Sequence, residues 1–247
     1  MRRVQTATRV PLHRRVVFEL TRKIVQGEIP PGRVLPSETQ LAQTFGVSRI
    51  VIREAIRVLS EKGLVEVQQG RGTFVTSPKR WNPLDPLVLA LQEGSDGFYL
   101  AQAELLEARK VFEVEIAGLA ASRITPQTLG AMSTLLRKMD SLVDDPEAFH
   151  KADVEFHFLI IRSANNRVLA KLIEPIHSIL ASGFRLTASL PGVPQKAQTT
   201  HWAVFRALEA HDPEAARRAM RLHLDEAAKD LEAVGSWEID PAEHLLD

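Results

Sequence analysis

Apolar residues recur at a spacing near 3.6 through almost all of this 247-residue chain, and the period drops to two in one place, between Val65 and Val75. That interruption constrains the fold more than any other feature. Three helical segments precede it. Val17, Leu20 and Ile24 follow Pro11 at helical spacing and end at Gly27. Ser37, with Gln40 three residues on, forms a capping box for a short second helix closed by Gly46. Ser48 opens a third helix over 48–62, with Ile52, Ala55, Ile56 and Leu59 on one face and Gly63 at its end. Val65 and Val67 then alternate with Glu66 and Gln68, Gly70-Arg71-Gly72 turns the chain, and Thr73-Phe74-Val75 returns it. Two helices joined by the tight turn Phe45-Gly46-Val47-Ser48, followed by a hairpin, spell a winged helix-turn-helix.

From Phe98 onward no strand pattern occurs. Helical patterns run over 98–122, 126–143, 146–163, 166–189, 196–210 and 213–234, separated by turn signals such as Thr125-Pro126, Asp145-Pro146 and Asp212-Pro213. The expected fold is mainly α: a winged helix-turn-helix over 1–76, a breaker-rich linker over 77–96 holding a short helix from Pro86, an antiparallel α-helical bundle over 97–234, and a loose tail over 235–247.

Charge divides the chain the same way. The 31 Lys+Arg and 31 Asp+Glu cancel overall, yet residues 1–80 hold 15 basic against 6 acidic side chains and the remainder 16 against 25. A basic head suits a phosphate backbone, and an acidic remainder points to a different partner. With no cysteine, disulfides, thiolate metal sites and cysteine nucleophiles are excluded. No run of 18 apolar residues occurs, and the basic N-terminus lacks an apolar segment, so the expectation is a cytoplasmic protein with no membrane partner.

Arg49, Arg53 and Arg57 stand at i, i+4 and i+8 on the third helix, opposite its apolar face. The N-terminal residues of such a helix reach base edges in the major groove, where the arginine fork matches guanine. Ser48 at the N-cap is placed for a phosphate, and Gln69, Gly70 and Arg71 form a wing tip slim enough to approach the minor groove. Arg57 is equally placed to pair with Glu61, four residues on.

In the helical part, Asp153 and His157 lie one turn apart among Phe156, Phe158 and Ile160. His201 and His223 lie on the last two helices, which a turn at Asp212-Pro213 lets lie side by side. One aspartate and three histidines suit a divalent ion: zinc first, then nickel, manganese or iron. The plainer alternative is a local Asp–His pair with hydrogen-bonded core histidines. A buried Arg109 needs an anion, which Glu107 or Glu113 could supply internally. His177, with no acidic or histidine neighbour at i±4, carries no signal. An Asp/His₃ set also fits a metal-dependent enzyme, but a DNA-binding head has no evident use in one.

Leu35-Pro36-Ser37-Glu38, Leu41-Ala42, Gly46-Val47-Ser48-Arg49, Arg53-Glu54-Ala55, Gly63-Leu64 and Gly70-Arg71-Gly72-Thr73-Phe74-Val75 resemble the N-terminal domain of the GntR family of bacterial transcription regulators. The chain departs from its pattern at Thr39 and Ile50. Glu107-x-Arg109-x3-Glu113, Asp153-x3-His157, Asn166, His201 and Met220-x2-His223 are similar to the all-helical effector domain of the FadR-type branch. The resemblance implies a homodimer on a pseudo-palindromic operator, with Arg49, Arg53 and Gly70 at the DNA. It also implies a metal held by Asp153, His157, His201 and His223, and a small carboxylate effector near Arg109 and Asn166 that releases a repressor. Trp81-Asn82-x-Leu84-Asp85 resembles members that respond to sugar acids.

Overall fold

The computed structural model describes residues 11–188 and 190–234, and the chain divides after Phe98 into two compact units. The first holds α1 (Leu12–Val25), α2 (Glu38–Phe45), α3 (Arg49–Glu61), β1 (Val65–Gln68), β2 (Gly72–Val75), a 3-10 turn over Pro78–Arg80 and α4 (Pro86–Gln92). The caps explain the boundaries. Ser37 accepts from the Gln40 backbone while Gln40 reaches back to the Ser37 N–H, and Gly46 ends α2 in the left-handed conformation. Ser48 caps α3 two residues later.

One face of each helix meets in a shared core: Val16, Val17, Leu20 and Ile24 from α1, Leu41 from α2, and Ile52, Ala55, Ile56 and Leu59 from α3. The hairpin pairs Val65 with Val75 and Gln68 with Gly72, and its two terminal valines close the core. Arg33 to Leu35 add a further extended stretch beside β2, with the Leu35 N–H donating to Thr73 (2.8 Å) and the Val75 N–H to Arg33 (2.9 Å).

The segment after the wing folds back onto the end of α3. Gly63 has φ +74, and a Cβ there would sit 2.1 Å from the Arg80 carbonyl oxygen, so only glycine lets the two backbones pass. The Asn82 N–H donates to the Lys62 carbonyl, Lys62 pairs with Asp85, and Asp85 caps α4. Trp81 and Val88 are buried in the same core as α1 and α3.

The second unit is built on α5 (Asp96–Ala121), α6 (Pro126–Asp140), α7 (Pro146–Ser163), α8 (Arg167–Ala188), α9 (Val193–Glu209) and α10 (Pro213–Val234). Proline stands in the first turn of α6, α7 and α9, where its missing N–H has no helical partner to lose. That is why α9 starts at Val193 and takes in Pro194, where the turn signal alone predicts a start at 196. Phe149, Phe156, Ile160, Met132, Leu136 and Met139 are fully buried between α6 and α7. Ion pairs from Lys110 to Asp225 and from Glu115 to Arg217 fix α5 and α10 as antiparallel neighbours. The predicted tail over 235–247 lies outside the described residues.

Candidate metal centre and nucleic-acid interface

The start of α3 exposes Arg49 and Ile50 before Ile52 enters the core. Arg49 and Arg53 project from the exposed side with side chains 59% and 63% accessible, and Ile50 between them is 78% exposed. Glu38, at the start of α2, pairs with both, 2.8 Å from Arg53 Nε and 3.6 Å from an Arg49 terminal nitrogen. Arg57 is instead engaged along its own helix by Glu54 (2.7 Å) and Glu61. Ser48 Oγ accepts from the Val51 N–H (3.4 Å) and stays exposed at the helix N-terminus. Gln69, Gly70 and Arg71 are exposed at the hairpin tip, and the Arg71 guanidinium lies 5.5 Å from the centre of the Phe74 ring.

In the second unit, α7 contributes Asp153 and His157, α9 contributes His201 and α10 contributes His223. All four are buried, and their ligand atoms lie within 4.8 Å of one another. The outer hydrogen bonds settle which ring nitrogens carry protons. Thr200 Oγ1 donates to the Ala197 carbonyl (2.7 Å), so it accepts from His223 Nδ1 (2.8 Å). Gln198 Nε2 donates to Leu136 and Asp140, which turns its oxygen toward His201 Nδ1 (3.4 Å). Glu113 Oε2 accepts from His157 Nδ1 (2.6 Å). Each imidazole is thereby protonated at Nδ1 and directs an Nε2 lone pair inward.

Those lone pairs face one another with nothing to bond to. His157 Nε2 and His223 Nε2 are 3.2 Å apart, and His201 Nε2 lies 2.9 Å from Asp153 Oδ1. Such a convergence repels unless a cation joins it. Tetrahedral zinc with Zn–N bonds of ~2.05 Å separates its ligand atoms by about 3.3 Å. The four side chains therefore fit a divalent ion.

The electrostatics agree. Burial raises the Asp153 and Glu113 carboxyls, but the imidazoles and Arg109 outweigh it and hold both below the ordinary carboxylate range. Burial pushes His157 down to about 4, with Arg109 adding to the fall against the pull of Glu113. His223 is driven down by burial and then by His201 and His157. Ionised carboxylate and neutral imidazole are the forms a metal binds.

Arg109 is buried and donates its Nε–H to Glu113, one turn on, so the internal anion weighed from the sequence is present. Glu107 is not that partner; it lines a groove between α5 and α10. Glu113 also lies 2.9 Å from His177 Nε2. Sequence spacing misses this because the acid that meets His177 comes from α5, not from its own helix. A pocket beside the four-residue group is lined by Arg109 and His223, together with Gln102, Thr187, Glu226 and Asp230.

Asn166 is not among the four. Its Oδ1 accepts from the N–H groups of Val168 (3.1 Å) and Leu169 (3.2 Å) and so caps α8. Arg162 is exposed, and the Arg185 side chain lies outside the described residues. Trp81 and Asp85 serve the core and the α4 cap of the first unit.

A winged helix-turn-helix joined to an all-helical domain with a buried Asp/His₃ group defines a class: regulators that bind DNA with one unit and sense with the other. Residues 12–75 match the family described as bacterial regulatory proteins, gntR family, and residues 104–226 match the FCD domain. The chain is 35% identical over 207 residues to the galactonate operon transcriptional repressor of Escherichia coli, covering 83% of this chain and 90% of that protein. It is 32% identical over 206 residues to the HTH-type transcriptional regulator LutR of Bacillus subtilis, covering 81% and 92%. The solved structure of Lar from Listeria monocytogenes shares the fold, with a TM-score of 0.63 at 20% identity over 92% of this chain and 100% of that one. The chain belongs to the GntR family and is a transcriptional regulator with an FCD effector-binding domain. These families and relatives regulate transcription, which sets the enzyme reading aside. Among the described residues no helix is long and apolar enough to cross a membrane.

Proposed function

We propose that the chain is a homodimeric repressor whose grip on a pseudo-palindromic operator is released by a small carboxylate metabolite bound beside a divalent metal ion. The observation that carries the reading is the set of three imidazoles, each fixed at Nδ1 by Glu113, Gln198 or Thr200 and each presenting Nε2 toward Asp153. Asp153, His157, His201 and His223 would hold the ion, zinc first and nickel, manganese or iron as alternatives; when bound, it supplies positive charge and open positions for a carboxylate oxygen. Arg109 gives Nε–H to Glu113 and also lines the pocket. A guanidinium has four further N–H donors on its terminal nitrogens, and these would receive the acid.

Ser48, Arg49, Arg53 and the wing tip Gln69-Gly70-Arg71 would meet the operator, the arginines at base edges and the rest at the backbone. Similarity to a galactonate operon repressor supports the repressing sign and a sugar acid as effector.

Metal analysis of the purified protein tests the centre. Wild type is expected to hold close to one ion per chain, and His157→Ala or His223→Ala to lose it. Thr200→Val keeps all four ligands but frees the His223 tautomer, and its metal affinity is expected to fall ~10–100-fold. Equal metal content in wild type and both histidine variants overturns the assignment.

A further inference from the structure

The outward face of α3 carries one residue that charge does not explain. Ile50 is 78% exposed, more than any other large apolar side chain among the described residues. The other exposed residues of the helix are Arg49, Arg53, Arg57, Ser60 and Glu61, all polar. At about 100° per residue, Ile52, Ala55, Ile56 and Leu59 gather on the buried side of α3 and Ile50 falls almost opposite them. It stands in the first turn, at the point farthest from the core of its own unit, and between Arg49 and Arg53 in the chain.

Folding does not favour isoleucine at that position. A β-branched side chain is a poorer helix former than the alanine, lysine or glutamine that suits a solvated helix position, and its exposure forgoes the gain from burial. Lone exposed apolar residues are common on protein surfaces, but this one occupies the strip of a recognition helix that faces base edges in the major groove. Within a helix, isoleucine keeps one strongly preferred χ1 rotamer, so its apolar tip is fixed before DNA arrives.

Isoleucine offers no hydrogen bond, so it distinguishes bases only by apolar contact. The major-groove edges of guanine, adenine and cytosine present acceptors and amino groups, which an apolar tip would strip of water and leave unpaired. Thymine alone adds an apolar group, its 5-methyl. Residues three apart on a helix have Cβ atoms ~5–6 Å apart and successive bases rise ~3.4 Å, so Ile50 lies one or two base steps from the base that Arg53 binds. Resting on the operator interface proposed above, we propose that Ile50 is a specificity residue that packs on the 5-methyl group of a thymine one or two steps from the guanine bound by Arg53.

Selection of the tightest sites from a random duplex pool by the metal-loaded full chain supplies the probe. Each thymine of the selected site is then replaced singly by deoxyuridine, which removes the 5-methyl group and keeps the base pair. Fluorescence anisotropy is expected to show a replacement near the Arg53-dependent guanine that weakens wild type about fourfold, the worth of one buried methyl. Ile50→Ser is expected to bind the thymine and deoxyuridine forms equally, and Ile50→Val to keep most of the margin. Melting temperatures matched to wild type establish that both variants are folded. The proposal is overturned if no deoxyuridine replacement weakens wild type, if a folded Ile50→Ser keeps the margin at the same base, or if the selected site has no thymine within two steps of that guanine. Each of these results leaves the arginine contacts in place. If Arg49→Ala and Arg53→Ala both bind the selected site as tightly as wild type, the interface itself is misassigned and this inference falls with it.

Discussion

At the scale of single residues, the sequence is most legible where partners share a helix. Arg49 and Arg53 could be placed on one exposed face from their i, i+4 spacing, and Arg57 could be matched to Glu61 by the same rule. Glu38 could not be found that way, because it reaches both arginines from α2. Its carboxylate pairs with both side chains, and under the proposed reading operator contact would exchange that exposed pairing for guanine and phosphate. Surface ion pairs of this kind contribute little, so the exchange costs little. Arg49→Ala and Arg53→Ala are each expected to weaken specific operator binding by ~1–3 kcal/mol. Fluorescence anisotropy on a promoter fragment measures it, and wild-type affinity in both variants would remove them from the interface. The four metal-ligand candidates were likewise legible as a set, but the partners that orient their rings were not. Glu113, Gln198 and Thr200 set the ring tautomers, and the contact of Glu113 with His157 spans 44 residues, beyond any local pattern.

At the scale of elements, periodicity and caps located every helix of the described residues to within a few positions, because each has an apolar face and a Ser, Thr, Asp, Asn or Pro near its start. What escaped were stretches too short to show a period. Arg33-Val34-Leu35 pairs with β2 over a single bridge, and the 3-10 turn at 78–80 spans three residues. The backbone that follows the wing is held against α3 by one close approach, and Gly63 makes that approach testable. Gly46 and Gly63 both adopt positive φ, at 64° and 74°, so alanine strains each backbone by a similar amount, roughly 1–2 kcal/mol. Around Gly46 a Cβ meets nothing within 4 Å, whereas at Gly63 it collides with the Arg80 carbonyl. Gly63→Ala is therefore expected to lower the melting temperature of the DNA-binding unit well beyond Gly46→Ala. Equal shifts would mean that the 77–82 segment yields freely and does not constrain the end of α3.

At the scale of the whole molecule, the two halves have chemistries that a single ligand cannot satisfy. The basic first third suits a polyanion, and the acidic remainder buries Arg109, Glu113, Asp153 and the histidines in its core. An acid bound in the second unit and DNA bound by the first occupy different sites of the chain, so any influence on the operator is a coupling free energy between them, typically 1–3 kcal/mol or about 5–150-fold. Thermodynamic linkage makes the effect reciprocal. If the saturating acid weakens operator binding by a given factor, saturating operator must weaken acid binding by the same factor. A metal-loaded repressor released by its effector is expected to show both, and Arg109→Ala, which loses the acid, is expected to bind operator equally with or without it. Measuring operator affinity with and without the acid, and acid affinity with and without the operator, closes the cycle at one salt concentration, because phosphate contacts make every such affinity salt-dependent. Equal operator affinity in the presence and absence of a bound acid would show that the helical domain binds a metabolite without using it to control transcription.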